Sequence, residues 1–302
     1  MPIHLPSSSR RQFLFTVGAA LGVAAVTPHD LLGNDVADDL VYLLNDTHIG
    51  EKHSPDSPVP SHLRQVVAEL VGLERKPACV LVNGDLALKD GQPGDYRHLA
   101  TLIQPLHEAK IDLHLTLGNH DHRETFYEIM RDERPEVPVV ESRHISVVET
   151  RFANLFLLDS LKETMVTQGT LGQDQLTWLA QALDDRPLKP AIIVTHHNPR
   201  LGGDPNHFPG GLIDSEELWK VIAARRHVKA YIHGHIHDRS LAEHQGIHII
   251  NTPATSYVGN PDLSTTGWTT AVLTATGVTL VTHTTDRNHP WNQQSKTIAW
   301  RT

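Results

Sequence analysis

A chain of 302 residues, 39% of them hydrophobic, is long enough to bury a sizeable core, as one large domain or two medium ones. Its net charge of -9 argues against a general binder of nucleic acid or anionic membrane, which needs a basic face. Cys79 is the single cysteine, so an intramolecular disulfide and a thiolate-rich zinc or iron–sulfur site are excluded, and with 22 histidines any metal is held by nitrogen and oxygen.

The first thirty residues read as an export signal. "SSSRRQFLFTVGAALGVAAVTP" sets Arg10 and Arg11 before an uncharged apolar run from Phe13 to Val26. That run is shorter than the about 20 residues a membrane span needs, and it suits the apolar core of a secretory signal. Ser9-Arg10-Arg11-Gln12-Phe13-Leu14 resembles the twin-arginine motif of bacteria. The expectation is a periplasmic or extracellular protein with no stable membrane anchor once residues 1–30 are cleaved.

From Asp39 onward, short β-branched and aliphatic runs alternate with helical periodicity. Strands are expected at Leu40–Leu44, Ala78–Val82, Ile111–Leu117, Leu155–Leu158, Ala191–Thr195 and Val228–Ile232. Helices are expected at Ser61–Leu73, Tyr96–Ala109, Gln173–Leu183 and Ser215–Arg225. This alternation predicts α/β layering with parallel pairing. Ile247–Ile250, Thr270–Thr274 and Val278–His283 have no helices between them and read as antiparallel strands completing a second sheet. One domain over 38–284 follows, interrupted by irregular segments at 53–60 and 199–211. A polar tail, 285–302, carries Trp291 and Trp300 and either packs back or joins a partner.

Five apolar runs stop at residues that suit metals. They lead in turn to Asn45-Asp46-Thr47-His48, Asn83-Gly84-Asp85, Gly118-Asn119-His120-Asp121, His196-His197-Asn198-Pro199 and His233-Gly234-His235-Ile236-His237. In open α/β sheets the carboxyl ends of strands line the ligand crevice, so the five ends can converge. A carboxylate such as Asp85 can bridge two cations, and the Asn119 amide oxygen adds a donor without adding charge. Nitrogen and oxygen donors without sulfur suit zinc, manganese or iron. The pattern predicts a two-metal site.

In this order, D-x-H, G-D, G-N-H-D, a His-His pair and G-H-x-H resemble the calcineurin-like metallophosphoesterase superfamily. The resemblance runs from about residue 40 to 240. It implies a four-layer αββα sandwich of two mixed β-sheets flanked by helices. Asp46, His48 and His237 would hold a first metal, Asp85 would bridge, and Asn119, His196 and His235 would complete a second; iron, manganese and zinc all remain open. His120 would contact the substrate phosphate and protonate or stabilise the leaving oxygen, and Asp121 would orient His120 through a hydrogen bond. Asn119 and His197 are further expected substrate contacts. His197, His122 and His233 each sit beside a ligand and touch either phosphate or a neighbouring carbonyl, the role of His53 in the loop after the first motif stays open, and Arg123 binds either substrate charge or a surface carboxylate.

"GDLALKDG" departs from the longer motif of the superfamily's protein Ser/Thr phosphatases, and Leu88 stands where purple acid phosphatases place an iron-binding tyrosine. "GDLALKDGQPGDYRHL", "GNHDHR", "LDS" with "GTLGQDQLTWLAQAL", and "HHNP" instead resemble the cyclic-nucleotide and glycerophosphodiester phosphodiesterase branch. The function expected is hydrolysis of small phosphodiesters by a metal-activated hydroxide. A phosphomonoesterase outside the cytoplasm and a non-catalytic scaffold are the alternatives. The implied partner is a small phosphoester, with no nucleic-acid polymer. Relatives in this branch often form oligomers, which leaves a homo-oligomer open.

Overall fold

The computed structural model describes residues 36–54, 56–201, 210–262 and 264–302. The signal segment 1–30 and most of the loop 199–211 lie outside the described residues. The chain runs β1 (Val36–Asn45), α1 (Pro58–Gly72), β2 (Lys76–Asn83), α2 (Pro93–Glu108), β3 (Leu113–Thr116) and α3 (Arg123–Ile129). It continues through β4 (Ser146–Glu149), β5 (Asn154–Leu157), α4 (Gln173–Asp184), β6 (Ala191–Val194), α5 (Ser215–Ala223) and β7 (Val228–His233). The last strands are β8 (Ser240–His244), β9 (Ile247–Asn251), β10 (Gly267–Thr274), β11 (Gly277–Thr284) and β12 (Ser295–Ala299).

Two six-stranded mixed sheets result, ordered β12-β11-β10-β1-β2-β3 and β4-β5-β6-β7-β9-β8. The period-2 pattern of each strand dictates how they stack. Leu40, Tyr42 and Leu44 of β1 face α1 and α2, whereas Val41 and Leu43 face the other sheet. In β6, Ile192 and Val194 enter the same inter-sheet core, while Ala191 and Ile193 pack under α4 and α5. Both sheets are therefore apolar on two faces, and the layers read α, β, β, α, as anticipated. Cys79 is buried between the sheets, where burial holds its thiol well above the usual range.

The three late strands divide between the sheets, which corrects the antiparallel second sheet read from sequence. β9 pairs β7 in parallel, and β10 runs antiparallel to β1, closing the first sheet with β11 and β12. Alternation shows that a segment is a strand and does not show its partner. The tail also belongs to the domain: β12 forms an edge, and Trp300 fills the inter-sheet core. Helix α1 begins three residues before the expected Ser61, because Pro58 and Pro60 fit a first turn whose N–H groups have no helical partner.

Trp268 of β10 stacks on His283 of β11, ring centres 3.9 Å apart and planes 8° from parallel. Burial lowers the His283 pKa to about 4, against about 6.5 when unfolded. Neutral His283 thus stabilises the fold above about pH 6.5, and this contribution is lost as pH falls towards 4. In thermal melts between pH 7 and 4, His283→Gln should give a flatter dependence of Tm on pH than the parent.

Candidate metal centre

The five polar strand ends converge at one edge of the sandwich. Asn83, closing β2, donates from its amide to the Thr195 carbonyl after β6 at 2.7 Å and accepts from Thr116 Oγ1 of β3 at 2.8 Å. One side chain thereby joins the carboxyl ends of both sheets. The ligand-type residues then leave the strands in unusual backbone states: φ is +49° at Asp46, +45° at His48, +48° at Asp85, +71° at His235 and +50° at His237. Each such non-glycine residue costs about 1–3 kcal/mol. Five of them around one point mean that the surrounding packing holds side chains where function, rather than backbone preference, requires them.

Asp46, His48, Asp85 and His237 present ligand atoms that lie within 4.8 Å of one another, and Asp85, His196 and His235 form a second such group. Asp85 belongs to both. His237 Nε2 is 3.1 Å from Asp46 Oδ1, His48 Nε2 is 3.6 Å from Asp85 Oδ2, and His196 Nε2 is 3.2 Å from the same Asp85 oxygen. Ligands at roughly 2.0–2.2 Å from a common cation stand about this far from each other.

The surrounding carbonyls decide which ring nitrogens face the centre. His196 Nδ1 meets the Asn83 carbonyl at 3.0 Å and His48 Nδ1 the Leu88 carbonyl at 3.4 Å. A carbonyl only accepts, so these Nδ1 atoms carry the protons and the bare Nε2 atoms point inward. The His196 lone pair then faces a carboxylate, an arrangement that calls for a cation between them. With a proton as that cation, the His196 pKa rises to about 9: burial opposes charging, and Asp85 more than offsets it. Burial also acts against the Asp85 charge, yet His196 and His48 hold its carboxyl well below the usual range; His237 does the same for Asp46. Among the described residues, Asn119 Oδ1 and His196 Nε2 are buried without a hydrogen-bond partner, as donors to a metal would be. The residues fit two cations.

A cavity of about 500 Å³ opens on Asp85, Asn119, His120, His235 and His237. His120 is half-buried; its N–H donates to Asp85 Oδ1 at 2.9 Å and its Nδ1 to the Lys89 carbonyl at 2.7 Å, which leaves Nε2 for the cavity. Burial lowers its pKa, so the free ring is neutral near pH 7.

The structure corrects one expected role and adds contacts for another residue. Asp121 does not orient the His120 ring. Its carboxylate accepts from the N–H groups of Gly118, Leu86 and Ala87 at 2.9, 3.1 and 3.0 Å and from the Tyr96 hydroxyl at 3.1 Å. It ties the two ligand-bearing loops together, and burial beside Asp85 raises its pKa to about 6. His197 is 0% exposed and does not line the cavity. Its Nδ1 meets Ser160 Oγ at 2.8 Å, and its ring packs against those of His196 and His235.

The undecided residues resolve as supports. His53 Nε2 contacts the His48 carbonyl at 3.1 Å, His122 caps α3 by accepting from the Thr125 N–H, and His233 Nδ1 meets the Gly234 carbonyl at 3.0 Å. Arg123 grips the buried Asp159 with Nε at 2.5 Å and Nη2 at 2.8 Å. Sequence reasoning missed Tyr96, Ser160 and the cavity-lining Asp238 and Asn260. Ser160 and Tyr96 fall within the stretches "LDS" and "GDLALKDGQPGDYRHL" that carry the resemblance, Asp238 directly follows the last histidine of G-H-x-H, and Asn260 lies in no motif.

Two layered sheets closing on a paired carboxylate-imidazole cluster define a phosphoesterase-type metal centre. The sequence pattern of the calcineurin-like phosphoesterases matches residues 40–239, and the chain belongs to that family. It is 29% identical over 205 residues to the 3',5'-cyclic adenosine monophosphate phosphodiesterase CpdA of Vibrio vulnificus, spanning 66% of this chain and 71% of that protein. It is 26% identical over 190 residues to the glycerophosphodiester phosphodiesterase GpdQ of Enterobacter lignolyticus, spanning 63% and 66%. The fold matches a dimetal phosphatase from Danio rerio with a TM-score of 0.66 at 17% identity, covering 87% of this chain and 99% of that one. The protein is a hydrolase of the metallophosphoesterase type, nearest in its motifs to the phosphodiesterase branch.

Proposed function

We propose that this protein is an exported phosphodiesterase that cleaves small phosphodiesters at a two-metal centre built from Asp46, His48, Asp85, Asn119, His196, His235 and His237. The observation that carries the reading is the sharing of Asp85 between two clusters of inward-facing donors. Two cations bound there would supply Lewis acidity towards phosphoryl oxygen and an activated water near neutral pH. The protein's own residues do the rest. Asp46 and Asp85 stay ionised, the carbonyls behind His48 and His196 fix their tautomers, and the Asp121 clasp keeps Gly118-Asn119-His120 in register with Asp85.

His120 Nε2 faces the cavity and, once the ring takes up a second proton beside the anionic substrate, is placed to pass it to the leaving oxygen. His120→Ala is expected to lower kcat by about 10²–10⁴-fold, as general-acid loss does, while KM moves little. The test is hydrolysis of bis(4-nitrophenyl) phosphate and of 4-nitrophenyl phosphate by protein loaded with manganese, zinc or iron. Faster diester turnover that collapses in His120→Ala supports the reading. Faster monoester turnover moves the protein to a phosphomonoesterase, and no hydrolysis of either ester with any of the metals contradicts the proposal. For export, a reporter fused behind residues 1–35 should reach the bacterial periplasm and remain in the cytoplasm when Arg10 and Arg11 are both changed to Lys.

A further inference from the structure

Tyr257 lies on the connection between β9 and β10, and its side chain is neither one of the metal donors nor part of a packed layer. Its ring centre is 5.3 Å from that of His48 and 5.3 Å from that of His237, edge-on to both at 69° and 90°. The imidazole pair of the first cluster therefore fixes the position of the ring. The residue is nonetheless 42% exposed, and its hydroxyl makes no hydrogen bond among the described residues. Two cavities meet at this connection. The 500 Å³ cavity over the centre is lined by Asn260 and Ser264, and a second of about 590 Å³ is lined by Ser264, Tyr257, Val258, Val59 and Pro261. Ser264 Oγ donates to the His237 carbonyl at 2.7 Å, which ties the shared wall to the metal-binding loop.

A phosphodiester whose phosphorus sits at the centre must send its two ester arms away from it, towards the spaces that adjoin the donors. The second cavity, joined to the first at Ser264, sets apolar surface from Val59, Val258 and Pro261 beside polar groups such as His62 and Asp286, and carries an aromatic ring held by two histidines. An exposed ring in such a place gains most from a flat apolar ligand laid on its face, because stacking removes apolar surface of both partners from water.

We infer that the second cavity is the subsite for an organic arm of the substrate, and that Tyr257 is its stacking wall and selects an aromatic arm such as a nucleobase. This rests on the phosphodiesterase reading above. The test compares binding of AMP and of ribose 5-phosphate, which differ by the base, to metal-loaded full-length protein by titration calorimetry. The parent should bind AMP about tenfold tighter, the order that base–aromatic stacking supplies. Tyr257→Ala should abolish that advantage with ribose 5-phosphate moved less than about twofold, and Tyr257→Phe should keep it. Equal binding of the two ligands by the parent overturns the inference. Equal weakening of both in Tyr257→Ala also overturns it, since Tyr257 would then only shape the centre. A parent that hydrolyses no diester contradicts the proposed activity, whereas the base preference is read from binding and is decided separately.

Discussion

Asp85→Asn is expected to lower phosphoesterase kcat/KM by about 10³-fold or more, equivalent to about 4 kcal/mol of transition-state stabilisation. The reason is its membership of both donor clusters. An outer ligand such as His48 serves one cation only, whereas His48 of the first cluster and His196 of the second both approach the same Asp85 carboxylate oxygen. Asparagine keeps the shape and the hydrogen bond from the His120 N–H but loses the charge that both cations need. Metal content by mass spectrometry should fall below two equivalents, and His48→Gln should lose less activity than Asp85→Asn. Equal losses in the two variants would show that Asp85 is not shared.

Gly118→Ala is expected to damage both the centre and the fold. A Cβ at Gly118 would stand 2.2 Å from Asp85 Oδ1, 2.5 Å from the Asp85 backbone nitrogen and 2.7 Å from His196 Cδ2. The nitrogen is backbone on a neighbouring loop already clasped by Asp121, so neither side can yield cheaply. Overpacking of this kind costs about 1–3 kcal/mol, and a domain of this size loses roughly 2–4 °C of Tm per kcal/mol. Activity should fall with it, because the displaced atoms belong to the donors. A Tm and metal content equal to the parent's would contradict this account of why glycine precedes Asn119.

The sequence disclosed the donors because metal chemistry restricts residue type, and because the end of a buried parallel strand is a recognisable place. Asp46, Asp85, Asn119, His196 and His235 all follow apolar runs and meet at one edge. What it hid has physical causes. β8 is exposed along nearly its whole length and β12 buries only Ile298, so neither carries an apolar run. Helix α3 spans seven residues, too few to show periodicity. Hydrogen-bond partners are not sequence properties: Asp121, adjacent to His120, serves Gly118, Leu86, Ala87 and Tyr96 instead. His197 neighbours a ligand yet is fully buried, its ring packed against His196 and His235 and its Nδ1 turned to Ser160, contacts that no sequence pattern marks. Tyr257 belongs to no metal-type pattern, and only the arrival of its loop beside His48 and His237 gives it meaning.

The central claim is that seven residues hold two cations bridged by Asp85, and anomalous diffraction from manganese-loaded crystals tests it most directly. The account predicts two peaks roughly 3.5–4 Å apart, as in two-metal hydrolytic sites, with Asp46, His48 and His237 around one, Asn119, His196 and His235 around the other, and Asp85 touching both. A single peak in a fully active crystal, or two peaks that do not share Asp85, would contradict it.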